Sequence, residues 1–139
     1  MLLALFGCGS GGGGESNGSS TDSYTGLVQE DFSGKTIYLV DDTGWAKAVF
    51  NTDGTLEAYN PNQLDWYQNG TWEIVAGKLE IAPADYPSHK NKYTLIEDDI
   101  NNNSFKLKRD KYDGMSDTVW MFYNQTTGFQ QAKDFVNNK

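Results

Sequence analysis

The chain is poor in the residues that staple, ligate or span. It has one cysteine, Cys8, and one histidine, His89, in 139 residues. A disulfide within the chain is therefore excluded, and a zinc site of the histidine–cysteine kind has one of each to draw on. No run approaches the about 20 apolar residues that a membrane-crossing helix needs. Basic residues are scarce too: 11 Lys and Arg stand against 19 Asp and Glu, a formal net charge of −8. That balance argues against a nucleic-acid partner and against flat adsorption on anionic lipid. No cofactor or metal is expected.

The beginning of the chain carries more information. Leu5-Phe6-Gly7-Cys8 precedes a Gly/Ser run and resembles a bacterial lipobox. The resemblance implies that residues 1–8 are the end of a signal segment and that Cys8 is lipidated. It also implies attachment to a membrane through that cysteine. The localisation it implies is the cell envelope, at the outer membrane where there is one, because Gly9 is not a retention signal of the aspartate kind. Met1 to Phe6 has no Lys and falls short of the about 7–15 apolar residues of a secretory signal. The translation start is accordingly expected upstream. The other reading of Cys8 is an inert cysteine after a chance apolar run. Residues 9–25 are Gly, Ser, Asn, Thr and acidic residues, with one Tyr near the end, that cannot bury enough apolar surface to offset their ordering entropy. They read as a tether spanning roughly 20–25 Å.

Residues 26–139 are one ordinary domain, and a hydrophobic content of 37% with 14% aromatics provides for a small core. Short alternating runs are closed by turn residues. Lys35–Val40, Trp45–Phe50 and Thr55–Tyr59 read as strands, with Asp53-Gly54 supplying a hairpin turn. Leu64–Gln68 is a short strand or irregular edge, and Asn69-Gly70 is the strongest turn signal. Thr71–Val75 and Lys78–Ile81 form a hairpin about Ala76-Gly77, with Trp72, Ile74, Leu79 and Ile81 on one face and Glu73, Lys78 and Glu80 on the other. Residues 83–90 hold two prolines and read as a loop. Tyr93–Ile96 is a strand and 97–103 a polar loop. Phe105 and Leu107 alternate with Lys106 and Lys108, and Asp113-Gly114 turns the chain into Thr118–Tyr123. That last run is apolar on both faces and requires a cover. Thr127 and Gln130 have capping-box spacing, and Phe129, Ala132, Phe135 and Val136 fall on one helical face, so the cover is a C-terminal helix. The predicted class is all-β: a small antiparallel up-and-down barrel or coiled meander of about eight strands with a C-terminal helix.

Ser33-Gly34-Lys35-Thr36-Ile37-Tyr38, Phe50 to Thr55, Gly70-Thr71-Trp72-Glu73-Ile74 and Gly77-Lys78-Leu79-Glu80-Ile81 together resemble bacterial lipocalin-like domains of unknown function, over residues 26–125. The text departs from true lipocalins where their first-strand Gly-x-Trp becomes Gly34 to Tyr38. It also lacks an arginine of the kind that closes the barrel near the last strand. The resemblance implies a barrel that holds a ligand.

Groupings that could carry chemistry are few. His89 lies in the Pro/Ser/Lys loop and reads as solvated, since a catalytic triad would bury it beside a carboxylate. Asp41/Asp42, Glu97/Asp98/Asp99 and Asp110/Asp113 could serve as acid–base pairs, or the middle group as a weak calcium site. All sit at expected turns, where aspartate is favoured for its local hydrogen bonds. The expectation is a non-enzymatic, membrane-anchored binding module. A small apolar ligand would lie among Trp45, Trp72 and Trp120 inside the barrel. The alternative is a structural module, or one that meets an envelope protein or glycan, using loops and exposed aromatics such as Trp66 and Tyr67.

Overall fold

A computed structural model describes residues 26–42, 44–59, 67–123, 130–134 and 137–138, with the backbone alone for Tyr67 and Gln68. The readings of Cys8, the tether, Trp66 and the Thr127 cap lie outside the described residues.

Eight strands close into an antiparallel up-and-down barrel: β1 (Lys35–Asp41), β2 (Gly44–Phe50), β3 (Thr55–Tyr59), β4 (Tyr67–Val75), β5 (Lys78–Pro83), β6 (Asn91–Asp99), β7 (Ser104–Asp110) and β8 (Ser116–Phe122). Each strand pairs with its chain neighbour, and β8 returns to β1 through Tyr38↔Phe122, Leu39↔Met121 and Val40↔Trp120. Closure removes the unpaired edges that would otherwise recruit other chains. The β4–β5 hairpin matches the expected faces: Trp72, Leu79 and Ile81 are buried in the interior cluster, while Lys90 bridges Glu73 and Glu80 outside.

Two local readings are corrected. Asn69-Gly70 is not a turn but lies within β4, opposite Glu57 and Leu56 on one side. Gly70 is there for close approach: a Cβ would sit 2.5 Å from the Ala82 carbonyl oxygen, so the glycine lets β5 press against β4. Residues 97–99 are not loop but continue β6 past a bulge at Ile96. The bulge puts Glu97 opposite Lys106 and turns the Ile96 side chain to solvent. The break comes only at the 3-10 turn Ile100–Asn102, which Asp99 caps by accepting from the Asn102 amide.

The two barrel ends differ. At one end the chain enters through Leu27, whose amide donates to the Gly77 carbonyl at 2.8 Å. Gly26 passes Gly77 so closely that a Cβ would be 2.8 Å from its backbone. The 3-10 turn Gln29–Asp31 then drives Phe32 into the barrel. Phe32 is wholly buried against Phe50 (5.2 Å between centroids), Phe105 (5.9 Å) and Trp72 (6.2 Å), and the Trp72 indole donates to the Asn51 carbonyl. This end is plugged by aromatics. On the outside, Tyr38, Val40, Trp45 and Phe122 form a second cluster with Ala132 of the C-terminal helix. The helix is the cover that the two-faced apolar run required.

Candidate ligand mouth

Strand alternation builds the other end. On β7, Phe105, Leu107 and Arg109 share a face, and the first two are core residues. On β8, Asp117 is in phase with Val119 and Met121; on β1, Asp41 is in phase with Ile37 and Leu39. One guanidinium and two carboxylates are thereby turned into the barrel near its second end. Arg109 grips Asp117 with two donors, Nε to Oδ1 at 2.8 Å and Nη2 to Oδ2, and Nη2 also donates to Asp41 Oδ2 at 2.9 Å. Lys111 adds a 3.3 Å contact to Asp117. Asp41 also accepts from the Gly44 amide, fixing the β1–β2 turn.

The electrostatics follow from this geometry. The hydrogen bonds from Arg109 hold the Asp117 carboxyl below its ordinary range, against the opposing effect of burial. Burial works against the Arg109 charge, but the bonds to Asp117 and Asp41 outweigh it and raise its affinity for the proton. Tyr93, opposite Arg109 in the ladder, is pushed up by burial. Two cations and two anions make the group close to neutral. Ionised carboxylates locked to an arginine are poor proton acceptors at neutral pH.

Among the described residues, the facing wall carries small side chains. Gly44, Ala46 and Ala48 on β2, Ala58 on β3 and Gly70 on β4 occupy inward positions, paired through Asp41↔Gly44, Leu39↔Ala46, Ile37↔Ala48, Ala48↔Ala58 and Leu56↔Gly70. Exposure here runs opposite to the usual order. Inward-facing Leu39 and Ala46 are partly exposed, whereas outward-facing Val40 and Trp45 are 0% and 7% exposed. Among the described residues, the inward face at this end is thus less covered than the outer face beneath the helix.

The expected site residues are not gathered in one place. Trp72 faces the interior at the plugged end. Trp45 and Trp120 flank Val40 across the sheet, out of phase with Ile37 and Leu39, and so lie on the outer face beneath the helix, with Lys106 above the Trp120 ring. The three tryptophans expected around one cavity fall in two clusters, because one residue of phase separates them. Tyr67 opens β4, and its side chain lies outside the described set. Asp41 makes the local turn hydrogen bond expected of it, from the Gly44 amide, and belongs to the mouth as well. Arg109, on the penultimate strand, joins β7 to β8 and β1. Arg109 was missed although its signal was present: it continues the Phe105, Leu107 alternation.

His89 is not simply solvated. It stacks between Tyr86 (5.2 Å, 10°) and Tyr112 (4.0 Å, 2°). Outside the barrel, a polar depression of about 290 Å³ lies beside Asp53, Thr71, Glu80 and Lys90. Among the described residues no group of three or more His, Cys, Asp or Glu is placed to hold a metal ion. Compared with known proteins, the chain matches no family model, no curated protein and no solved structure.

Proposed function

We propose that this chain is a non-enzymatic binding module that takes a small ligand into the unplugged end of the barrel. The ligand has an apolar body, which lies against Leu39 and Ala46, and a neutral or zwitterionic head, which meets Arg109, Asp41 and Asp117. The observation that carries the reading is the reversed exposure of Leu39 and Ala46 against Val40 and Trp45. Small wall residues opposite a balanced ionic group leave room without imposing a net charge. The lipocalin-like phrasing of residues 26–125 supports the same reading, and the lipobox-like Leu5–Cys8 supports display at a membrane surface through lipidated Cys8.

The test fills the lumen. The wild-type chain should bind the neutral probe N-phenyl-1-naphthylamine, and Ala46→Leu should weaken binding at least tenfold without loss of thermal stability. A lumen already full would bind no probe, and the added side chain would overpack it by about 1–3 kcal/mol; that result overturns the reading. A second reading, a module meeting an envelope protein or glycan, is favoured by Tyr86, Tyr112 and Met115, which are 61%, 58% and 62% exposed around the same rim.

A further inference from the structure

Among the described residues, the 84–90 loop and the 111–115 turn stand at the barrel end that bears Arg109, and aromatic rings join the two. Tyr86-Pro87-Ser88-His89 is a β-turn with proline at its second position and the His89 amide donating to the Tyr86 carbonyl at 2.9 Å. That turn brings its first and fourth side chains side by side. Tyr112 approaches from the other segment, its amide donating to Asn91 Oδ1 at 3.3 Å. The result is a three-ring stack with the chain's sole imidazole at its centre.

We propose that Tyr86, His89 and Tyr112 form a proton-sensitive clasp on the rim, which holds the 84–90 loop against the 111–115 turn more firmly when His89 is protonated. An imidazolium between two electron-rich faces gains a cation–π attraction that neutral imidazole lacks, amounting to a two- to fivefold change in the closed population at an exposed site. Imidazole is the side chain that ordinarily changes charge between pH 5 and 8.

Most charged groups around the stack are held by other partners. Lys90 is turned to Glu73 and Glu80, which also meets Lys92. Lys111 is turned to Asp117. Asp113 accepts from the Met115 amide within its own turn. Asp85 is exposed beside Tyr86. That the clasp regulates the mouth rests on the binding reading above; its existence does not.

The experiment measures amide hydrogen exchange of residues 84–90 in the ligand-free protein at pH 8 and pH 5.5, corrected for intrinsic exchange. Protection should rise two- to fivefold on acidification. His89→Phe, which keeps a ring but cannot charge, should give equal protection at both pH values, and His89→Ala should be less protected than wild type at pH 5.5. A wild-type profile that matches His89→Phe, or protection that falls with acid, overturns the clasp. Release of N-phenyl-1-naphthylamine is then timed at both pH values. Slower release at pH 5.5 in wild type alone ties the clasp to the mouth, and pH-independent release beside a normal exchange result overturns only that tie. Failure of the Ala46→Leu test would leave the exchange result intact.

Discussion

An arginine inside a small barrel needs counter-charges in good geometry, because desolvating the guanidinium otherwise costs several kcal/mol. Arg109 has a bidentate partner in Asp117 and a second in Asp41, and the side-on pair fixes its plane. Asp117→Asn removes one charge and should lower stability at pH 7 by about 1–3 kcal/mol, read from urea midpoints. The pH dependence has a definite sign. The Asp117 carboxyl is depressed in the folded state, so its contribution is complete above its ordinary value of 3.8 and lost as pH falls through the lower folded value. The gap between wild type and Asp117→Asn should therefore narrow from pH 7 to about pH 3; a gap that stays constant or widens would contradict the assignment.

Among the elements, the 3-10 turn at 29–31 matters beyond its three residues. Its role is to deliver Phe32, and the ring closes the end at which Phe50, Trp72 and Phe105 converge. Phe32→Ala should cost about 3–5 kcal/mol in a denaturant titration, because the plug leaves a cavity that β-strands tied on both sides cannot collapse into. The strands were legible in the sequence, since alternation and Asp-Gly or Ala-Gly turns are local signals. The plug was not. Gln29 to Phe32 shows no pattern of its own, and the burial of Phe32 depends on three rings from β2, β4 and β7. Asn69-Gly70 misled for a related reason. The same glycine that relieves a turn also relieves a close strand crossing, and only the position of Ala82 distinguishes the two.

For the whole molecule, the seam is the place to look. β1 and β8 share three described register pairs, against seven in β1–β2 and seven in β7–β8. Arg109 reaches from β7 to Asp41 on β1, bracing that seam where the ladder is short. Amides bonded across β1–β8 should exchange through a lower-energy opening than those across β7–β8. Arg109→Met should speed exchange at the seam more than elsewhere, and uniform acceleration would show that the ion group stabilises the barrel without bracing its closure.

The sequence by itself determined the class. Period-two alternation, turn residues and one amphipathic helical face dictate an antiparallel sheet that must coil and be covered, because each signal is set within a few neighbouring residues. It also determined the acidic surface and the scarcity of ligating side chains. Tertiary structure decided which face is the inside. Trp45, Trp72 and Trp120 look equivalent along the chain, yet closure places Trp72 in the lumen and the other two beneath the helix. The same closure turns Arg109, Asp117 and Asp41 toward one another from strands far apart in sequence, and it brings His89 between two tyrosines of different loops. Those juxtapositions depend on register around a closed ring, which no local stretch of sequence encodes.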